Sequence, residues 1–194
     1  KKGMYSIENF LVSRRLMYWQ VYLHKTSVAA EHTHINALTR AKELASEGEE
    51  LFASPALHFF LYNNVDRDMF FNKQESLEHY VSLDDNDIWS ALKVWSNHPD
   101  KILSRLSGDF INRHLFKVEV SEEPFSEEYV EQKTVEIAKY NNIGTEEARR
   151  YFTALIEIGK DMYSLDDDKI EILQNDGTTR DITATSDMLN ISTL

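Results

Sequence analysis

The chain has 194 residues and a mass of 22.6 kDa, the size of one ordinary domain or of one domain with a small appendage. Its 21 Lys and Arg residues against 33 Asp and Glu residues give a net charge of −12 at pH 7, which disfavours general nucleic-acid binding. Only 6 Gly and 3 Pro predict a mostly helical chain, and the absence of cysteine excludes a disulfide framework and thiolate metal sites.

Apolar residues at three- and four-residue spacing predict two consecutive helices at the start of the chain. The first covers residues 7–29 and the second covers residues 28–46, with Gly48 as its C-cap. A short aromatic-rich helix is predicted over residues 51–62, followed by a polar loop over residues 63–72. Helices are therefore the only regular elements expected at the beginning of the chain.

Three further helices are predicted before residue 116. The first is short and covers residues 76–81. Asp84 and the acidic residues after it predict the capped start of a helix that ends at His98-Pro99. The third covers residues 100–115. We therefore expect residues 1–115 to form a helical body.

The pattern changes at residue 116. Residues 116–120 alternate like a strand, residues 126–140 read as a helix, and a short helix capped by Thr145 leads to a second predicted strand over residues 152–158. Residues 169–173 and 178–183 flank Asn-Asp-Gly, a strong hairpin signal. The expected fold is therefore mainly α with a C-terminal α+β part: a helical body followed by an appendage, residues 116–194, around a small antiparallel sheet.

Arg14 interrupts an otherwise apolar stripe on the first predicted helix, and Tyr18 and Tyr22 follow it on the same face. An arginine presents a planar fork that suits phosphate oxygens, and a tyrosine ring can lie against a sugar or a base. The face is therefore either a site for a nucleotide or polyphosphate, or the position of an arginine that snorkels to solvent or pairs with a carboxylate of a neighbouring helix. The same helix carries apolar residues around much of its circumference, which predicts an exposed patch or a dimer contact.

The seven histidines show no metal-binding pattern in the sequence. None is followed by Asp, and there is no HExxH motif. His24 has two interpretations, a partly buried, hydrogen-bonded imidazole or a ligand contact. The acidic runs at residues 84–87 and 166–168 lack the glycine and terminal glutamate of a calcium loop, so we interpret them as a helix cap and a solvated turn. We expect no metal site in this chain.

Three segments, in this order, resemble the HD-domain phosphohydrolases related to dNTP triphosphohydrolases. Residues 13–25, Ser-Arg-Arg-Leu-Met-Tyr-Trp-Gln-Val-Tyr-Leu-His-Lys, resemble a helix of that family in which Arg is followed eight residues later by Tyr and then by His-Lys. Residues 83–88 resemble the start of a later helix of the family, and residues 113–117, Arg-His-Leu-Phe-Lys, resemble its transition from helix to sheet. The resemblance covers nearly the whole chain, including the hairpin and a helix start near residue 186.

The resemblance implies a mainly helical phosphohydrolase in which His…His-Asp…Asp ligands hold a divalent metal that activates water for attack on a phosphate ester or anhydride. Those ligands belong to segments that precede residue 1. We therefore expect a C-terminal portion that binds no catalytic metal and is inactive alone, while the parent enzyme holds a divalent metal. The implied partners are the N-terminal HD metal-binding part of the same protein, a nucleotide substrate and further copies of the chain.

The resemblance also implies roles for individual residues. Arg14 and Tyr22 match positions that face the phosphates and sugar of the substrate, and Tyr18 stands where some members have a catalytic-pocket His; we predict that all three bind substrate. A polyphosphate would supply the partner that an arginine in this stripe needs. Three other residues match positions that line an allosteric nucleotide site between subunits in the mammalian nucleotide-activated member: His24, Arg113 and Lys117.

The predicted function is thus the substrate-facing and oligomerisation portion of a metal-dependent nucleotide phosphohydrolase. No stretch approaches the ~20 consecutive apolar residues that span a bilayer, so we expect a cytoplasmic protein that does not interact with membranes. The alternative, from a different class, is a non-enzymatic interaction or regulatory module that mediates self-association. A longer reading frame with His…His-Asp…Asp spacing would favour the enzyme.

Overall fold

The computed structural model describes residues 2–157, 170–174 and 176–182. Within these ranges the chain forms nine α-helices, one π-helical segment and a two-stranded antiparallel sheet, which confirms the predicted mainly helical fold with a small C-terminal sheet. In chain order the elements are α1 (Lys2–Met17), the π-helical segment (Tyr18–Tyr22), α2 (Lys25–Ser46), α3 (Pro55–Tyr62), α4 (Arg67–Asn72), α5 (Gln74–Ser82), α6 (Asp85–Trp95), α7 (Lys101–Ile111), α8 (Glu127–Asn141), α9 (Thr145–Tyr151), β1 (Glu171–Leu173) and β2 (Thr179–Asp181).

The described residues belong to two compact units. The larger unit consists of residues 28–155, and the smaller unit combines the described residues before 28 with those after 155. Helices α8 and α9 thus group with the helices that precede them, and the hairpin groups with α1. The domain boundary at residue 116 remains a prediction.

The core of the larger unit is built from the inward faces of α2, α3, α6 and α7. Trp95 is its largest buried side chain, only 1% exposed, and its indole N–H donates to the Phe52 carbonyl at 3.0 Å, so that the one polar atom of the ring is satisfied. Around it lie the other buried residues of the cluster: Ala37, Ala41, Leu44, Ala45, Leu51, Leu57, Leu61, Ala91, Leu92, Ile102, Leu103, Leu106, Tyr151 and Phe152.

The starts of several helices are fixed by polar side chains, as the sequence predicts for α6. The Asp84 carboxylate accepts from the backbone N–H groups of Asn86 at 2.7 Å and Asp87 at 3.3 Å, while the Asp87 carboxylate accepts from the Asp84 N–H at 2.8 Å. This reciprocal capping box satisfies backbone donors that have no partner inside the helix. The interpretation of this acidic run as a helix cap is confirmed.

The smaller unit is organised around the hairpin, which the sequence predicts correctly. Its strands pair antiparallel with Ile172 opposite Arg180, and Gly177 in the turn has a φ of 82°, a conformation that favours glycine. Leu11 of α1 and Ile182 at the end of the hairpin are buried together, with Ile7, Val12, Ile170 and Ile172 packed around them. One face of α1 therefore has a core contact within this unit.

Three local predictions at the start of the chain are wrong. The first helix begins at Lys2 rather than at residue 7, and it does not continue to residue 29, because it changes to a π-helical segment and ends before α2 begins at Lys25. The predicted polar loop at 63–72 contains α4, since the Asp66 side chain caps a new helix by accepting from the Met69 N–H at 2.7 Å. A cap inside a polar stretch outweighs its loop-like composition.

The predicted strands at 116–120 and 152–157 are also wrong, and residue 158 lies outside the described residues. Phe116 and Phe152 pack against the helical core with their ring centroids 6.2 Å apart, whereas Val120 is 80% exposed and belongs to no strand of the described ranges. Each of the two segments contributes one aromatic side chain to the helical core and forms no strand. The short helix at 145 is present, but its N-cap is Gly144, whose N–H donates to the Glu147 carboxylate at 2.8 Å. The helix start near residue 186 lies outside the described ranges.

Candidate functional site

The candidate site lies where α1 changes into the π-helical segment. Arg14 is in the last turn of α1, and the wider turn that follows is closed by the Leu23 N–H, which donates to the Tyr18 carbonyl five residues earlier at 2.7 Å. Short π-helical turns within helices are frequently found at functional sites. The turn ends at Leu23 and His24, which separate it from α2.

The structure brings the three predicted substrate-binding residues together. The guanidinium carbon of Arg14 lies 5.7 Å from the centroid of the Tyr18 ring, and the Tyr18 ring lies 5.2 Å from the Tyr22 ring with the planes inclined at 46°. Arg14 and Tyr22 are exposed and Tyr18 is half-buried. We call this row of side chains the Arg14 stack.

The Arg14 stack carries positive charge that no described carboxylate neutralises. Every ion pair found among the described residues involves other cations, so the alternative of an Arg14 ion pair finds no support in that part of the chain. Residues 9–30 contain Arg14, Arg15 and Lys25 but no Asp or Glu, in a chain whose net charge is −12. This acid-free segment is a signal that could have been found in the sequence. It favours an anionic ligand.

The prediction of exposed apolar area on this part of the chain is confirmed. Phe10 is 63% exposed and Trp19 is 46% exposed, and the neighbouring side chains Leu16, Met17 and Val21 are exposed as well. We call these five residues the apolar flank. Large apolar side chains that are exposed together along one segment are typical of a surface that another chain or segment covers.

The three residues predicted to line an allosteric site have different surroundings. His24 is exposed rather than partly buried, and its Nδ1 accepts from the Thr26 N–H at 3.2 Å, so its imidazole caps the start of α2. Arg113 follows α7 with a φ of 59°, and Lys117 pairs with Glu119 at 3.0 Å on the surface. His24 belongs to the smaller unit and the other two belong to the larger unit. Their allosteric role remains a prediction.

A polar network that the sequence analysis missed connects α2, α7 and α9 in the larger unit. Arg40 donates to both carboxylate oxygens of Asp100, from Nη2 at 2.6 Å and from Nε at 3.3 Å, and Glu43 accepts from Arg150 and from the Tyr151 hydroxyl. We call these five residues the Glu43 network. Its partners are up to 108 residues apart in the chain, so no local pattern reveals it.

Electrostatics in the Glu43 network favour the paired, charged state. The hydrogen bond to Asp100 is the main reason that the pKa of Arg40 is raised, and burial followed by the hydrogen bond to Glu43 raises the pKa of Tyr151. Burial tends to raise the pKa of Asp100, but the hydrogen bonds from Arg40 and from the Leu103 N–H lower it below its usual value. With its charges paired, this network holds helices together rather than offering a free cation to a ligand.

The described residues offer no metal centre. No group of three or more His, Asp or Glu side chains within these ranges is arranged to hold a metal ion. The expectation that this chain binds no catalytic metal remains a prediction. None of the helices in the described part of the chain is long and apolar enough to cross a membrane.

Comparison with known proteins relates the chain to part of a phosphohydrolase. No family model matches it. The uncharacterized protein YwfO of Bacillus subtilis is 38% identical over 117 residues, which cover 60% of this chain and 25% of YwfO. The crystal structure of a phosphohydrolase from Bacteroides thetaiotaomicron matches with a TM-score of 0.88 and 59% identity, over 100% of this chain and 48% of that chain. The chain thus spans about a quarter of the first protein and about half of the second.

Proposed function

We propose that this chain is the C-terminal, substrate-facing and oligomerisation portion of a metal-dependent phosphohydrolase of the HD superfamily that hydrolyses nucleotide phosphates in the cytoplasm. The observation that carries the proposal is the match to the Bacteroides phosphohydrolase, which extends over the whole of this chain at 59% identity. The three ordered motifs at residues 13–25, 83–88 and 113–117 support the finer assignment to nucleotide hydrolysis. The coverage of 48% of that chain leaves room for a separate metal-binding part.

The Arg14 stack is the part of this chain that we assign to the substrate. An exposed guanidinium with two or more free N–H edges can donate two parallel hydrogen bonds to phosphate oxygens. The Tyr22 ring, 55% exposed, offers an apolar face to a sugar or base and a hydroxyl for a hydrogen bond. Because no described carboxylate competes for Arg14, its charge is available to an anionic ligand.

Activation of water is assigned to the other part of the protein. A divalent metal lowers the pKa of bound water to about 7, and the described residues of this chain do not supply a donor set for such an ion. This chain would therefore bind and orient the phosphate chain without forming the nucleophile. We propose that the metal ligands lie in the N-terminal HD part of the same protein.

The apolar flank supports an association with that part or with a second copy. Trp19 and Phe10 expose large apolar areas that would be removed from water on contact. We propose that the HD part covers the flank and that the complete protein forms a homo-oligomer. His24, Arg113 and Lys117 would line an allosteric nucleotide site in that oligomer.

The alternative function is a non-enzymatic interaction or regulatory module. The same exposed apolar flank favours it, since a docking surface needs no catalytic part. The two candidates differ in what the natural polypeptide contains. A longer polypeptide with His…His-Asp…Asp ligands would favour the enzyme, and one without them would favour the interaction module.

The test compares this chain with the longest natural polypeptide that contains it. Both are assayed with Mn²⁺ for hydrolysis of dNTPs and of a general phosphate ester. We expect activity in the longer polypeptide alone. Anomalous diffraction from crystals soaked with Mn²⁺ or Zn²⁺ supplies the control, because an ion held by three or more side chains of this chain would show that the catalytic centre has been assigned to the wrong part.

A further inference from the structure

We propose that Tyr18 is a positioning residue: its ring holds the Arg14 guanidinium so that the N–H groups stay free for an oxyanion. This inference rests on the proposed function, because it assigns a mechanism to the same anion site. The juxtaposition behind it is the 5.7 Å separation between the guanidinium carbon and the Tyr18 ring centroid. A positively charged group is attracted to the face of an aromatic ring at such distances.

The kind of partner matters because arginine donors lie in one plane. A carboxylate binds the N–H edges of a guanidinium and neutralises its charge, as Asp100 does for Arg40. An aromatic ring carries no net charge, so an arginine that lies over it keeps its own positive charge. Contact with Tyr18 therefore restrains Arg14 while its charge stays available to a phosphate.

Comparison among the arginines that lie over aromatic rings supports this distinction. Arg40, Arg105 and Arg150 also pair with Asp or Glu, at distances that include 2.7 Å for Arg105 and Asp109. Arg14 and Arg67 have no carboxylate partner within the described ranges. Ring contact without charge neutralisation is therefore a property of these two within that part of the chain.

The Tyr18 ring is itself held in place, which a positioning residue requires. It is half-buried, and the Tyr22 ring packs against it at 5.2 Å. The Tyr18 carbonyl accepts the hydrogen bond that closes the π-helical turn. Arg14, by contrast, is an exposed side chain with several rotatable bonds, so contact with a fixed ring reduces the freedom that it would lose on binding an anion.

Arg67 and Phe71 provide a matched control on α4. The guanidinium carbon of Arg67 lies 5.8 Å from the Phe71 ring centroid, with the same four-residue spacing as in the Arg14 pair. Arg67 stands between Asp66 and Asp68, whereas Arg14 lies in the acid-free segment. The control thus preserves the ring contact but sits in an acidic surrounding that disfavours anions.

The experiment measures the affinity for inorganic tripolyphosphate by calorimetry, without divalent metal, in the longest natural polypeptide that contains this chain. Four variants are compared: Arg14→Ala, Tyr18→Leu, Tyr18→Phe and Phe71→Leu. We expect Arg14→Ala to weaken binding at least ~10-fold, which corresponds to a charge-assisted hydrogen bond. Tyr18→Leu should weaken it about 2- to 5-fold, the effect of one exposed cation–ring contact. Tyr18→Phe, which keeps the ring, should restore most of the affinity that Tyr18→Leu loses, and Phe71→Leu should keep the original affinity.

The outcomes separate the inference from the proposed function. If Arg14→Ala binds as the unchanged protein does, Arg14 is not the anion site and the proposed role of the stack fails. If Arg14→Ala weakens binding while Tyr18→Leu does not, only the positioning role is overturned. The positioning role is also overturned if Tyr18→Phe binds as weakly as Tyr18→Leu, because the hydroxyl rather than the ring would then matter. Urea midpoints verify that Tyr18→Leu remains folded.

Discussion

Arg14 and Arg40 both lie over tyrosine rings at nearly the same distance, 5.7 Å for Arg14 over Tyr18 and 5.9 Å for Arg40 over Tyr151. Arg40 also donates to both oxygens of Asp100, whereas Arg14 has no carboxylate partner within the described ranges. The difference extends to their surroundings. Arg40 belongs to a paired network that joins three helices, and Arg14 belongs to an exposed surface of aromatic side chains.

A ring contact alone therefore does not reveal the role of an arginine. What separates the two is the charge balance around them. A guanidinium matched by carboxylates stabilises the fold, because removing it leaves acidic groups without partners. A guanidinium that is held only by a ring keeps its charge for a ligand. We therefore expect changes in the larger unit to act on stability and changes in the Arg14 stack to act on binding.

The largest expected contrast in stability is between two tryptophans. Trp95→Ala should lower the free energy of unfolding by about 3–5 kcal/mol, because it creates a cavity in the core and leaves the Phe52 carbonyl without its indole donor. Trp19→Ala removes a side chain that is 46% exposed and should change the free energy of unfolding of this chain by less than about 1 kcal/mol. Urea unfolding of both variants measures the difference.

The tryptophan variants also test the proposal that the HD part covers the apolar flank. In the longest natural polypeptide, Trp19→Ala should become clearly more destabilising than in this chain, since the HD part would bury the side chain there. An equally small effect in both polypeptides would contradict coverage of the flank by that part. A large effect of Trp19→Ala in this chain alone would remove the contrast between core and flank.

A second contrast compares the arginines directly. Arg40→Ala should lower the free energy of unfolding by about 1–3 kcal/mol, because Asp100 and Glu43 lose a partner in a partly buried position. Arg14→Ala should stay within about 0.5 kcal/mol of the unchanged chain. Thermal and urea unfolding of the two variants test this. Equal losses would show that Arg14 is a structural residue as well.

A smaller effect is expected in the pH dependence of stability. The pKa of Asp100 in the folded chain lies below its unfolded value of about 3.9, so the unfolded state binds more protons in the acidic range. The stabilisation from this carboxylate is complete above that unfolded pKa and is lost as pH falls through the folded one. In Asp100→Asn, the urea unfolding midpoint should depend less on pH in this acidic range. If the midpoint of the variant depends on pH as steeply as that of the unchanged chain, the pH dependence arises from other groups.

Short-range signals account for much of what the sequence predicts correctly. The cap at Asp84 and the Asn-Asp-Gly turn each act within a few residues, and both lead to the predicted element. The π-helical turn was missed because its apolar spacing also fits a continuous α-helix. The false strand at residues 116–120 arose because the alternating pattern around Phe116, which packs against the helical core, also fits the period of a strand.

Part of the candidate site could be predicted from the sequence, and part of the polar architecture could not. Arg14, Tyr18 and Tyr22 were selected from their spacing and from the family resemblance, and the structure places them in one row. The Glu43 network was hidden because Glu43 and Tyr151 meet only after the helices pack. Without that network for comparison, the sequence could not show which arginine is paired and which is available.

Whether the Arg14 stack contacts the substrate is measured by the effect of Arg14→Ala on catalysis by the longest natural polypeptide, with Arg67→Ala as the control. We predict that Arg14→Ala lowers kcat/KM for phosphate hydrolysis at least ~10-fold, while metal content and the urea midpoint stay unchanged and Arg67→Ala behaves as the unchanged protein. An Arg14→Ala enzyme with full kcat/KM would contradict the claim that this surface contacts the substrate.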